Sequence, residues 1–157
     1  MKTLDLFIIE LEKPMQDEIT LSNGSKLYLD SKFNEFEWRV TEGPVVSPPI
    51  KHDTGVEVGD TLYFHHLVVM NEGQVLTGHD NHYLVRYDPD QTINNQAIAY
   101  KSEKSGHIYS LGGWALIQPI FDEDPETSIE VVRLEEKSTT RGTVAFDSPF
   151  LDELNVK

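Results

Sequence analysis

The sequence predicts an all-β protein, and three observations carry that expectation. Apolar and polar residues alternate with period two along most of the chain, helical periodicity is scarce, and Gly, Pro and Asp cut the sequence into short runs rich in β-branched and aromatic residues. Many short strands punctuated in this way point to a barrel or a sandwich.

Taken in order, "LFIIELEKP" alternates loosely and stops at Pro14, as a strand should. The next apolar peptide lies in "SNGSKLYLD", residues 22–30, where Leu27, Tyr28 and Leu29 are framed by Asn23, Gly24 and Ser25 before and Asp30 after. Asn-Gly is a strong hairpin signal, so one reading is a strand paired with "EFEWRV". The other is an apolar peptide held out for a partner. "FEWRVTEGPVVSPP" puts Phe36, Trp38 and Val40 on one face and predicts a turn at Gly43 and Pro44. "GVEVGDTLYFHHLVV" has Gly59-Asp60 as a turn between two β-forming runs. "HYLVRYDP" and "QAIAYK" are further strands. Gly112 and Gly113 mark a turn before "GWALIQPIFDEDP", followed by "IEVVRLEE", where Val131 and Val132 favour strand, and "RGTVAF".

Internal repetition runs through this pattern. "LFIIELEKPMQDEI" resembles "WALIQPIFDEDPETSI", each an apolar strand, a proline and an acidic turn. "EGPVVSPPIKHDTGVEV" resembles "RGTVAFDSPFLDELNVK" in the same order. The first copy continues from "VEV" into "GDTLYF", whereas the second stops at "NVK", so the second unit is either a half-domain or a fragment of something longer.

Composition narrows the function classes. Thirteen basic and 27 acidic residues give a net charge of -14, which repels phosphate backbones and argues against nucleic acid as a partner. With no cysteine there is no disulfide, thiolate metal site or cysteine nucleophile. No apolar run approaches the ~18 residues of a membrane helix. Asp5 and Glu10 interrupt the N-terminal apolar stretch, so it does not read as a secretory signal, and a cytoplasmic protein is expected.

The histidines are the best case for a metal: "FHHLVVMNEGQVLTGHDNH" holds His65, His66, His79 and His82. Adjacent strand residues point to opposite faces, so His65 and His66 would not share a site. The spacing also lacks the His-x-His pattern of cupin-like enzymes. No metal, cofactor or catalytic residue is expected. "GHIYSLGG" around Ser110 has no nucleophile elbow.

The ordered series "FIIELEKP", a Gly/Ser loop containing "KLYL", "EGPVV" and "VEVGDTLYF" resembles the GroES-like small co-chaperonin family. Val56, Val58, Gly59, Asp60, Leu62 and Phe64 match the family's "VKVGDxVxF" strand, and Gly43, Val45 and Val46 match the strand after the loop. Departures are Tyr28 in the middle of the apolar tripeptide, a short roof region around "SPPIKHDTG", and the partial second unit; they resemble versions that bacteriophages encode. The resemblance implies a GroES-like, partly closed β-barrel over residues 1–105, with a long mobile loop, and a partial second repeat over 106–157. It implies a chaperonin-binding loop of Asn23, Gly24, Ser25, Lys26, Leu27, Tyr28 and Leu29. The implied partners are a GroEL-type chaperonin ring and further copies of the chain in a heptameric ring, in the host cytoplasm for a phage protein. The alternatives are a phage structural or assembly barrel without chaperonin contact, and a cupin-like metal-dependent enzyme using some of His65, His79 and His82.

Overall fold

The computed structural model describes residues 1–13, 18–28, 39–69, 75–79, 81–90, 95–121 and 137–146. Within them the chain is all-β: strands β1 (Leu6–Glu10), β2 (Glu18–Thr20), β3 (Lys26–Tyr28), β4 (Glu42–Ser47), β5 (Thr61–Phe64), β6 (His82–Arg86), β7 (Ala97–Lys101), β8 (Ile108–Ser110), β9 (Leu116–Phe121) and β10 (Lys137–Phe146), with one 3-10 turn at His66–Val69. Among the described residues no helix is long and apolar enough to cross a membrane.

Six strands form one antiparallel sheet in the order β6-β1-β4-β5-β7-β8. β1 is buried on both faces, with Phe7, Ile8 and Ile9 at or below 1% exposure, which fits its loose alternation in sequence. Phe7, Ile9, Val45, Leu62, Phe64, Val85 and Ala97 enter one apolar cluster with Val68, Val69, Tyr87 and Leu111. Strands far apart in the sheet order thus share one core, which requires the sheet to curl. The ladder stays open between β6 and β7. There the Gln96 N–H donates to the Arg86 carbonyl (3.0 Å) and the Arg86 N–H to Gln96 Oε1 (3.0 Å). That pair spans the gap.

The turn expected at Gly43 and Pro44 is instead the interior of β4, with Gly43 opposite Leu62 and Pro44 opposite Thr61. Glycine is there for close packing: a Cβ on it would stand 2.5 Å from Leu11 Cδ2 and 3.3 Å from the Glu10 carbonyl oxygen. The turn expected at Gly59-Asp60 is present. Gly59 takes φ of 95°, where side-chain-bearing residues are strained, and the Asp60 N–H donates to the Glu57 carbonyl (3.3 Å).

The boundary expected between residues 105 and 106 falls in the turn joining β7 to β8. β8 pairs with β7, and Leu111 beyond it enters the core. Buried Asn95 fixes the following turn: its Nδ2 donates to the Gly112 carbonyl (3.3 Å) while its Oδ1 accepts from the Ala97 N–H (3.2 Å). β9 and β10 then make a separate two-stranded ribbon. "IEVVRLEE" lies outside the described residues, as do Phe36 and Trp38.

Candidate functional site: an exposed hairpin

The sequence 18–28 closes on itself. β2 and β3 pair antiparallel, Glu18 opposite Tyr28, Ile19 opposite Leu27 and Thr20 opposite Lys26, in a two-stranded sheet of their own. The tip is held locally, because the Leu21 N–H donates to the Ser25 carbonyl (2.8 Å) and the Gly24 N–H to the Leu21 carbonyl (2.9 Å). The Asn23 side chain accepts from the Ser25 N–H (2.9 Å), the local bond that makes asparagine a turn residue. Lys26 Nζ lies 2.7 Å from Glu18 Oε1 across the strands.

The two sequence readings therefore coincide in part. Lys26, Leu27 and Tyr28 are a hairpin strand paired with "EIT", and all three are exposed; residues 35–38 of "EFEWRV" lie outside the described residues. Leu27 is 50% and Tyr28 76% exposed, with Leu21 beside them at 45%. Leu27 shares a face with Ile19, while Tyr28 points to the opposite face beside Glu18. Leu29 lies outside the described residues. A two-stranded hairpin with little buried surface is marginally stable in water.

The histidines are arranged differently from the strand reading. β5 ends at Phe64, His66 opens the 3-10 turn, and the rings of His65 and His66 lie together, centroids 4.2 Å apart and tilted by 32°, instead of pointing to opposite faces. An apolar β-branched run such as "HHLVV" looks the same in sequence as a strand or as a short turn of helix, so the break was not legible. His65 Nδ1 accepts from the Leu67 N–H (3.2 Å). Burial, then the charges of His65 and Arg39, hold the His66 imidazolium below the usual histidine range. His79 and His82 form a second pair, centroids 5.0 Å apart, across a tight turn in which the His82 N–H donates to the His79 carbonyl. Among the described residues no three His, Asp or Glu side chains gather as a metal site requires.

An open apolar groove of about 480 Å³ lies along Tyr63, Ile98, Ala99, Ile108 and Leu116, with Thr41, His65 and His66 where β5 ends. No sequence signal pointed to it, since its lining comes from five separate segments.

No family model matches the chain, and neither a curated protein nor a solved structure matches it.

Proposed function

We propose that this chain is a co-chaperonin, a cap that closes a chaperonin ring through the hairpin 18–28 and assists ATP-dependent folding there. The observation that carries the reading is that hairpin: Leu27 and Tyr28 stand exposed on a small two-stranded sheet, outside the six-stranded sheet that holds the core. In the chain it lies between β1 and β4, which pair with each other in the main sheet. The ordered likeness of "FIIELEKP", "KLYL", "EGPVV" and "VEVGDTLYF" to the GroES-like family supports the same reading.

The energetics suit a removable lid. Burying three large apolar side chains supplies about 5–8 kcal/mol, and ordering the segment takes back ~2–5 kcal/mol. One hairpin alone then binds at roughly millimolar strength. Several on one ring bind tightly through avidity, yet release together when the chaperonin changes state. Nucleotide belongs to the chaperonin, and the cap needs no catalytic residue or cofactor of its own. The setting is the cytoplasm of a bacterial host, and the divergent sequence fits a phage-encoded version.

The test is chaperonin-dependent refolding of a denatured substrate enzyme, with this protein as the sole cap. Recovery that requires ATP, chaperonin and this chain together supports the proposal. Recovery no better than with chaperonin and ATP alone contradicts it.

A further inference from the structure

The main sheet holds a buried hydroxyl on its groove side. β7 carries one extra residue, Ile98, against β5, because Tyr63 pairs with Ala99 but Phe64 with Ala97. That bulge turns the two alanines to opposite faces. Ala97 enters the core cluster with Phe64, whereas Ala99 lines the groove with Tyr63. Ala99 pairs in turn with Ser110 of β8, so Tyr63, Ala99 and Ser110 form one row across three strands, on one face of the sheet. Ile108, two residues before Ser110 on the same strand, also lines the groove, and Leu111, the residue after it, enters the core. Both relationships aim the Ser110 side chain to the groove side.

Ser110 is only 9% exposed, and its Oγ has no hydrogen-bond partner among the described residues. A hydroxyl withdrawn from water without a partner destabilises the fold. Alanine would fill the same place in the sheet without that cost. The hydroxyl is therefore suited to a partner that arrives from outside the chain.

The rest of the groove narrows the chemistry of that partner. Its volume of about 480 Å³ lies within the ~300–1,000 Å³ of small-molecule sites, which are mostly apolar with a few placed polar groups. Tyr63, Ile98, Ile108 and Leu116 supply apolar walls, and Thr41, His65 and His66 the polar end. His65 Nδ1 accepts the Leu67 N–H, so the neutral ring carries its proton on Nε2 and offers a donor. Burial, then the charges of His65 and Arg39, hold His66 below the usual histidine range, which leaves it uncharged at neutral pH. A net charge of -14 repels anions from the whole surface.

We propose that this groove binds a small, uncharged, mostly apolar molecule whose hydroxyl or carbonyl group bonds the Ser110 hydroxyl. The site shares no residue with the hairpin 18–28 and goes beyond the proposed capping function.

The experiment is an NMR titration of the isotope-labelled full chain with naphthol, an uncharged bicyclic ring bearing one hydroxyl, up to about 2 millimolar. The proposal expects saturable shifts at the amides of Tyr63, Ile98, Ile108 and Leu116. Ser110→Ala should weaken that binding about fivefold, the effect of one hydrogen bond. Its melting temperature should stay within about 2 °C of the wild type or rise. Naphthoate, the same ring bearing a carboxylate, should bind more weakly than naphthol. The proposal is overturned if naphthol gives no saturable shifts, if Ser110→Ala keeps the full affinity, or if naphthoate binds as tightly. A fall in the variant's melting temperature beyond about 2 °C also overturns it, because the hydroxyl would then serve the fold itself.

Discussion

The buried carboxylate of Asp60 accepts the backbone N–H of Glu103, 43 residues further along the chain, at 2.9 Å. Its other oxygen accepts the N–H of Glu57 at 2.9 Å. One side chain thus ties the turn before β5 to the turn between β7 and β8. Gly59 supplies the positive φ, 95°, that the first of these turns requires. Glu57 and Lys104 pair across the same junction at the surface. The "VGD" motif that carries the family likeness therefore has a structural duty in this chain.

Asp60→Asn keeps the shape but presents an amide donor to one of those N–H groups. With hydrogen bonds to a charged acceptor worth ~1.5–3 kcal/mol each, the substitution is expected to cost about 2 kcal/mol in urea denaturation. A loss below ~0.5 kcal/mol, the range of ordinary surface changes, would mean that the junction is held by something else.

The main sheet and the ribbon should respond unequally to truncation. Leu62 is fully buried in the core, and Leu62→Ala is expected to destabilise by ~2–5 kcal/mol. Val144 is 43% exposed with Ile117 opposite, and Val144→Ala should cost a cross-strand pair, ~0.2–1 kcal/mol. Thermal unfolding of both variants checks the contrast.

Stability should fall on mild acidification through His66. Its folded imidazolium is held below the ordinary value of 6.5, so the unfolded chain takes up the proton more readily than the folded one. The contribution is fully present above pH ~6.5 and is lost as pH falls from there through the lower folded value. His66→Gln is expected to flatten that part of the stability profile. At the alkaline end burial raises the Tyr87 phenol above 10.0, so stability present below pH 10 is lost as pH rises through the raised value, and Tyr87→Phe removes this loss.

Much of the sheet was legible because it rests on local chemistry. The runs around Leu6–Glu10, His82–Arg86 and Ala97–Lys101 have the apolar patterning of buried strands, and Gly59-Asp60 has the residues a turn requires. Gly43 and Pro44 misled because the same residues serve a turn and a tightly packed strand, and only Leu11, 32 positions earlier, decides between them. The contact of His65 with His66 was hidden for a similar reason: β5 gives way to the 3-10 turn at His66–Val69 while the run stays apolar. For the hairpin, "NGS" signalled the turn, but the partner strand "EIT" is too short to announce itself. The groove along Tyr63, Ile98 and Ile108 is a tertiary product with no contiguous signature.

Leu27 and Tyr28 contribute little to the folded state, being 50% and 76% exposed. Leu27→Asp is therefore expected to change unfolding free energy by no more than ~0.5 kcal/mol. A large loss would show that the hairpin is part of the core rather than a displayed element.

The most direct measurement is co-sedimentation with a GroEL-type chaperonin, with and without ATP, comparing the wild type with Leu27→Asp/Leu29→Asp. The account predicts nucleotide-dependent binding of the wild type and loss of that binding in the folded double variant. Binding that survives the double substitution, or a folded wild type that never binds, would contradict it.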